Sequence, residues 1–90
     1  ELEENSIYLY PNPSTTYVSV VVNVADAGPV EIDFLSVQGE KVFSVEENHK
    51  GGTQVYNVAY RGMSNGIYVV SVSHGDAKVG AKKLFISQQR

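Results

Sequence analysis

Tyr17-Val18-Ser19-Val20-Val21-Val22-Asn23-Val24 decides the fold class. Alternate side chains of a strand point to opposite faces. Here Val18, Val20, Val22 and Val24 fall on one face, and Ser19 and Asn23 fall on the other. Period two, in place of helical spacing, marks a strand with one buried and one wet side. Six further segments read the same way, at residues 7–10, 30–37, 41–46, 53–60, 67–74 and 78–87. Between them stand residues that take positive φ or pre-set a bend: Pro11-Asn12-Pro13, Ala27-Gly28-Pro29, Gln38-Gly39, Gly51-Gly52, Asn65-Gly66 and His74-Gly75-Asp76. Gln38-Gly39 and Gly75-Asp76 join apolar runs closely enough to be hairpin turns. Seven short strands with turns at this spacing predict an all-β fold, a seven-stranded antiparallel immunoglobulin-like β-sandwich. An open barrel is the structural alternative.

The chain has 90 residues, 42% apolar and 19% charged, which is enough for one small domain. Residues 1–6 read as the end of a linker, 7–87 as the domain, and 88–90 as a polar and basic tail. No apolar run approaches the roughly 18 residues that span a bilayer, so membrane insertion is not expected. A core this small leaves little room for a deep catalytic pocket, and an enzyme is not expected. The absence of cysteine removes disulfides, thiolate metal sites and cysteine nucleophiles together. The first residue is Glu1, with no charged-then-apolar leader, so the stretch reads as a piece of a longer protein whose signal peptide lies outside it.

Net charge is −3, which gives no electrostatic footprint for nucleic acid. Its distribution is more informative. Residues 1–77 hold ten acids and the bases Lys41, Lys50 and Arg61, a balance of −7. Residues 78–90 hold Lys78, Lys82, Lys83 and Arg90 with no acid, a balance of +4. Such an asymmetry is felt over about 8 Å at physiological salt, far enough to orient a partner.

His49 and His74 stand near carboxylates, in Glu46-Glu47-Asn48-His49 and His74-Gly75-Asp76, yet both fall in predicted turns and read as solvated loop residues. Nothing in the spacing brings three or four ligands together, so neither a metal nor another cofactor is expected. A serine triad would have to recruit one of these histidines and has no support. Glu31 and Asp33 alternate on one side of a strand and read as solvated carboxylates. In Gly66-Ile67-Tyr68 the glycine two residues before a strand tyrosine reads as a tyrosine corner, with the phenol bonded to upstream backbone. In Tyr10-Pro11-Asn12-Pro13 two prolines stiffen a connector, which serves equally for changing sheets or for docking. A regular last strand puts Lys78 and Lys82 on one side and Lys83 on the other, either to block edge-to-edge aggregation or to be recognised.

The order of these features resembles a known family, the type A C-terminal sorting domain of the type IX secretion system of Bacteroidetes. The resemblance spans about residues 8–87. It is carried by Leu9-Tyr10-Pro11-Asn12-Pro13, the hairpin Phe34-Leu35-Ser36-Val37-Gln38-Gly39-Glu40-Lys41-Val42, Gly66-Ile67-Tyr68-Val69-Val70, and Lys78 and Lys82 followed by Lys83-Leu84-Phe85-Ile86. It implies a folded secretion signal that is not itself an enzyme. The implied partners are the type IX translocon, its shuttle and a gingipain-like sortase. The implied route runs through the periplasm to the cell surface and outer membrane, or into the medium. Pro11, Asn12, Pro13, Gly66, Tyr68, Lys78, Lys82 and Lys83 are the implied signal positions, with Arg90 as the terminal base.

Other readings stay open on sequence alone. An accessory module could grip carbohydrate or protein with Tyr8, Tyr10, Tyr17, Tyr56 and Tyr60. A secretion-machinery component could retain such a domain. A homodimer could form if the valine-rich strand at residues 18–24 were exposed at a sheet edge.

Overall fold

The computed structural model describes residues 5–12, 16–60 and 62–87. Seven strands follow in chain order: β1 (Ser6–Tyr10), β2 (Tyr17–Val24), β3 (Gly28–Leu35), β4 (Lys41–His49), β5 (Gly52–Ala59), β6 (Gly66–His74) and β7 (Ala77–Ile86). They form two antiparallel sheets, with strand orders β1-β2-β5 and β4-β3-β6-β7. No helix occurs among the described residues. This is the expected immunoglobulin-like sandwich, and the open barrel is set aside because the strands divide into two separate sheets.

The alternation in the sequence builds the core directly. Val18, Val20, Val22 and Val24 of β2 face Val30, Ile32 and Phe34 of β3, Val70 and Val72 of β6, and Leu84 and Ile86 of β7 in one apolar cluster. Each such side chain withdrawn from water contributes roughly 1.5–3 kcal/mol to folding. Phe34 meets Phe43 edge-on at 5.5 Å, which seals the turn end of the β3–β4 hairpin.

Several boundaries and faces differ from the sequence reading. The other face of β2 is not wet: Ser19 and Val21 are buried. The strand lies in the middle of its sheet, where Val21 is flanked by Tyr8 and Val55 and Ser19 by Tyr10 and Asn57. That position also rules out strand 18–24 as a free edge for self-pairing. Strand β3 stops at Leu35, because Ser36 begins a turn in which its N–H donates to Glu40 O (2.8 Å) and its carbonyl accepts from Gly39 N–H (2.9 Å). Val37 is therefore at an exposed turn and not in a strand. Strand β4 continues to His49, held by pairing with Pro29 and Gly28. The Gly75-Asp76 hairpin is as expected, with His74 paired to Ala77.

His49 is the largest departure. It is buried at the end of β4, its Nε2–H donating to Val22 O at 2.9 Å and its Nδ1 accepting from Gly51 N–H at 2.9 Å. The imidazole is a structural joint between the sheets and not a solvated loop residue. Gly51 completes it: its φ is +93°, and a Cβ there would stand 3.0 Å from Ala25 O.

Candidate functional site

Strand register gathers Asn12, Gly66, Tyr68 and Lys83 at one end of the sandwich, while Lys78, paired with Ser73, lies at the hairpin end of β7 away from them. Tyr68 pairs with Leu84 and Gly66 with Ile86, so the Gly-x-Tyr segment lies beside the last turn of chain in β7. Leu35, the last residue of β3, pairs with Val69, which brings the β3–β4 turn to the same end. From the other sheet, the residues after β1 reach across. Asn12 Nδ2–H donates to Lys83 O at 3.0 Å, and its Oδ1 accepts from Phe85 N–H at 2.9 Å.

This pair of hydrogen bonds explains why an asparagine follows the proline. Strand β7 is a sheet edge, and alternate residues of an edge strand leave their N–H and C=O groups without a strand partner. A carboxamide offers one donor and one acceptor side by side, and so matches the Lys83 carbonyl and the Phe85 amide at once. The Tyr10–Pro11 peptide bond is cis, and Pro11 and Asn12 are both exposed. Pro13 and Arg90 lie outside the described residues.

The tyrosine corner is present as expected. Tyr68 is buried in the core, and its hydroxyl donates to Ser64 O at 2.7 Å. Gly66 serves it through the backbone: its φ is +154°, while a Cβ there would do no more than touch Tyr68 Cε1 at 4.0 Å. Conformation, and not space, requires glycine here.

The lysines of β7 depart from the regular pattern. Paired residues share a face, so Lys82, opposite buried Val70, points to the inner side, and Lys83, opposite Val69, points to the outer side. A register shift between Val72 and Ser73 pairs them with Gly80 and Lys78, leaving Val79 as an extra residue. This bulge turns Lys78 to the outer face with Lys83, away from Lys82. The ammonium of Lys82 emerges where β7 passes β1, at a groove of ≈ 190 Å³ lined by Tyr8, Leu9, Asn12, Lys82 and Lys83.

None of the ion pairs formed by the described residues involves Lys78, Lys82 or Lys83. Lys41 provides the contrast. Its Nζ lies 3.1 Å from Glu31 and 3.7 Å from Asp33, and Ser44 Oγ donates to Asp33 at 2.7 Å. The hydrogen bond from Lys41 holds the Glu31 carboxyl below the usual carboxylate range and in turn raises Lys41. On the β3–β4 side of the outer face one ammonium is thus shared by two carboxylates, which leaves a net negative charge, whereas among the described residues of β7 the charged side chains are all lysines.

The family model of the secretion system C-terminal sorting domain matches residues 8–87. The chain belongs to that family. Comparison with curated proteins and with solved structures returned no match. The sorting domain is a secretion signal of the type IX system, so it works with that machinery and directs export toward the cell surface or out of the cell.

Its other chemistry-bearing groups do not converge. Gly62-Met63-Ser64-Asn65-Gly66 has the Gly-x-Ser-x-Gly spacing of a nucleophile turn, which corrects the expectation that no serine stands in such a turn. The structure uses Ser64 in the corner, with Oγ 3.3 Å from the Tyr68 hydroxyl. His49 is already engaged at both nitrogens, and His74 ends β6, roughly 25 Å of strand from its start. Among the described residues no group of three or more His, Cys, Asp or Glu side chains is placed to hold a metal ion. Of the five tyrosines considered as an aromatic platform, Tyr56 and Tyr60 are buried in the core, and Tyr8, Tyr10 and Tyr17 are exposed.

Proposed function

We propose that the end of the sandwich formed by Pro11, Asn12, Gly66, Tyr68 and the second half of β7 is the surface by which the type IX translocon, its shuttle and a gingipain-like sortase recognise the folded domain. The domain then acts as an address and performs no chemistry. Its parent crosses the periplasm, passes the outer membrane, and is cut upstream of the domain and attached at the cell surface, or is released. Residues 7–87 are the signal, 1–6 the end of a linker and 88–90 a tail.

The observation that carries this reading is the Asn12 bridge to Lys83 and Phe85. It joins two stretches of the family pattern, at opposite ends of the sequence, into one surface beside lysines that form no ion pair with the described residues. Such a surface exists only when the domain is folded, which supports recognition of the fold and not of a linear tag. Deleting residues 82–90 from the full-length parent protein tests it. The expected result is a parent that keeps its own activity but stays in the periplasm. Normal surface display of the truncated parent would overturn the proposal.

A further inference from the structure

The two outer strands of the four-stranded sheet, β4 and β7, have no further strand partner among the described residues, though β1 packs beside β7 at Gly80, where a Cβ would stand 3.5 Å from Ile7 Cγ1, and the two edges differ in what meets them. The β4 edge carries exposed Glu46 and Glu47. The β7 edge carries three lysines, and residues 77–87 contain no acid. Because Lys83 and Phe85 turn backbone groups toward the open side, alternation places Ala81 on that side as well. Asn12 satisfies one carbonyl and one amide of this row. It stands where a neighbouring strand would stand, over the groove that Tyr8, Leu9 and Lys82 line.

We propose that the free edge of β7 is a strand-docking surface for an extended acidic segment of a partner protein, and that Asn12 occupies the edge until that segment displaces it. The inference rests on the sorting reading and names the way the same surface is read. Main-chain hydrogen bonds to Ala81, Lys83 and Phe85 supply the register. Lys82 on one face and Lys78 and Lys83 on the other supply the charge preference: carboxylates at alternate positions of the incoming strand share one face and meet Lys78 and Lys83, while one at an intervening position faces Lys82. The β4 edge repels the same segment. Asn12 also keeps the exposed edge from pairing with other strands before the partner arrives.

The experiment uses the isotope-labelled chain and a short capped peptide of alternating glutamate and valine, with lysine in place of glutamate as the control. The expected result is that the glutamate peptide shifts the amides of Ala81 and Lys83 and slows their hydrogen exchange. Asn12→Ala is expected to tighten this binding about tenfold, because the competing carboxamide is gone. Lys82→Gln with Lys83→Gln, which leaves the fold intact, is expected to weaken it and to flatten its salt dependence. Equal binding of both peptides, a response centred on β4, or no response of the β7 amides in native and Asn12→Ala chains alike would overturn the proposal. A separate export assay keeps the two readings apart. A domain that exports a reporter but ignores the peptide removes strand docking alone, and one that binds the peptide but exports nothing removes the sorting surface.

Discussion

Along the β4/β5 side the sheets are joined by the chain itself and by buried hydrogen-bonding groups, whereas along the β1/β7 side Ile7 packs beside Gly80 and the hydrogen bonds across come from the side chain of Asn12. On the first side only Lys50 and Gly51 separate the strands. His49 bonds to Val22, and the Tyr56 hydroxyl donates to Asn48 O at 3.1 Å. On the second side the partners are 71 and 73 residues apart in sequence, and their bonds are exposed. Burial makes the β4/β5 bonds costly to lose, since a stranded buried group loses its whole partner. Exposure makes the β1/β7 bonds cheap to exchange, since water or another strand can replace them. One side is fixed by buried bonds; the other is bridged by bonds that solvent can reach.

Substitutions can break or sharpen this contrast. His49→Ala should have the largest effect, about 3 kcal/mol, because it leaves a cavity and strands Val22 O and Gly51 N–H. In a thermal melt that corresponds to a fall of about 15 °C for a domain of this size. Tyr68→Phe removes one part-buried bond at the Asn12 end of the sandwich and should cost about 1 kcal/mol in a urea titration, with the slope unchanged. Asn12→Ala should cost less than about 1 kcal/mol, since the freed edge groups are hydrated. Its signature should be faster hydrogen exchange at Phe85 N–H alone. A loss of Asn12 as large as that of His49 would erase the distinction between the two sides.

The smallest expected effect is electrostatic. Burial, helped by the nearby Glu47 carboxylate, raises the Tyr56 phenol above its ordinary value. A group with a raised folded pKa stabilises fully below its unfolded value and loses that contribution as pH rises through the folded one. Stability should therefore decline on going above about pH 10, and Tyr56→Phe should remove that part of the decline. Alkaline melts of the two chains check it.

The strands and the core were legible in the sequence because alternation survives wherever one face is buried. Val18, Val20, Val22 and Val24 announce the β2 face and end in the core. Where the pattern lapses, reading failed for physical reasons. Glu46-Glu47-Asn48 is polar on consecutive positions because this half of β4 is an edge exposed on both faces, so the strand looked like a turn and His49 looked solvated. Ser19 and Val21 are covered by neighbouring strands, which periodicity within one strand does not report. The bulge at Val79 leaves no mark in a run of small and basic residues, and it alone decides which face Lys78 takes. Tyr68 was legible because the corner is local, spanning four residues. The Asn12 bridge was not, because no local rule links positions more than seventy apart.

The central claim is that segments remote in sequence form one folded surface and that this surface directs export. The most direct measurement places residues 1–90 after a signal peptide and a fluorescent reporter in a host with a working type IX translocon, beside a Lys82→Gln, Lys83→Gln variant of equal melting temperature and a translocon-deficient strain. Surface or medium delivery of the native fusion is expected only with the translocon, together with periplasmic retention of the variant. Equal delivery of native and variant fusions, or retention of both in the competent strain, would contradict it.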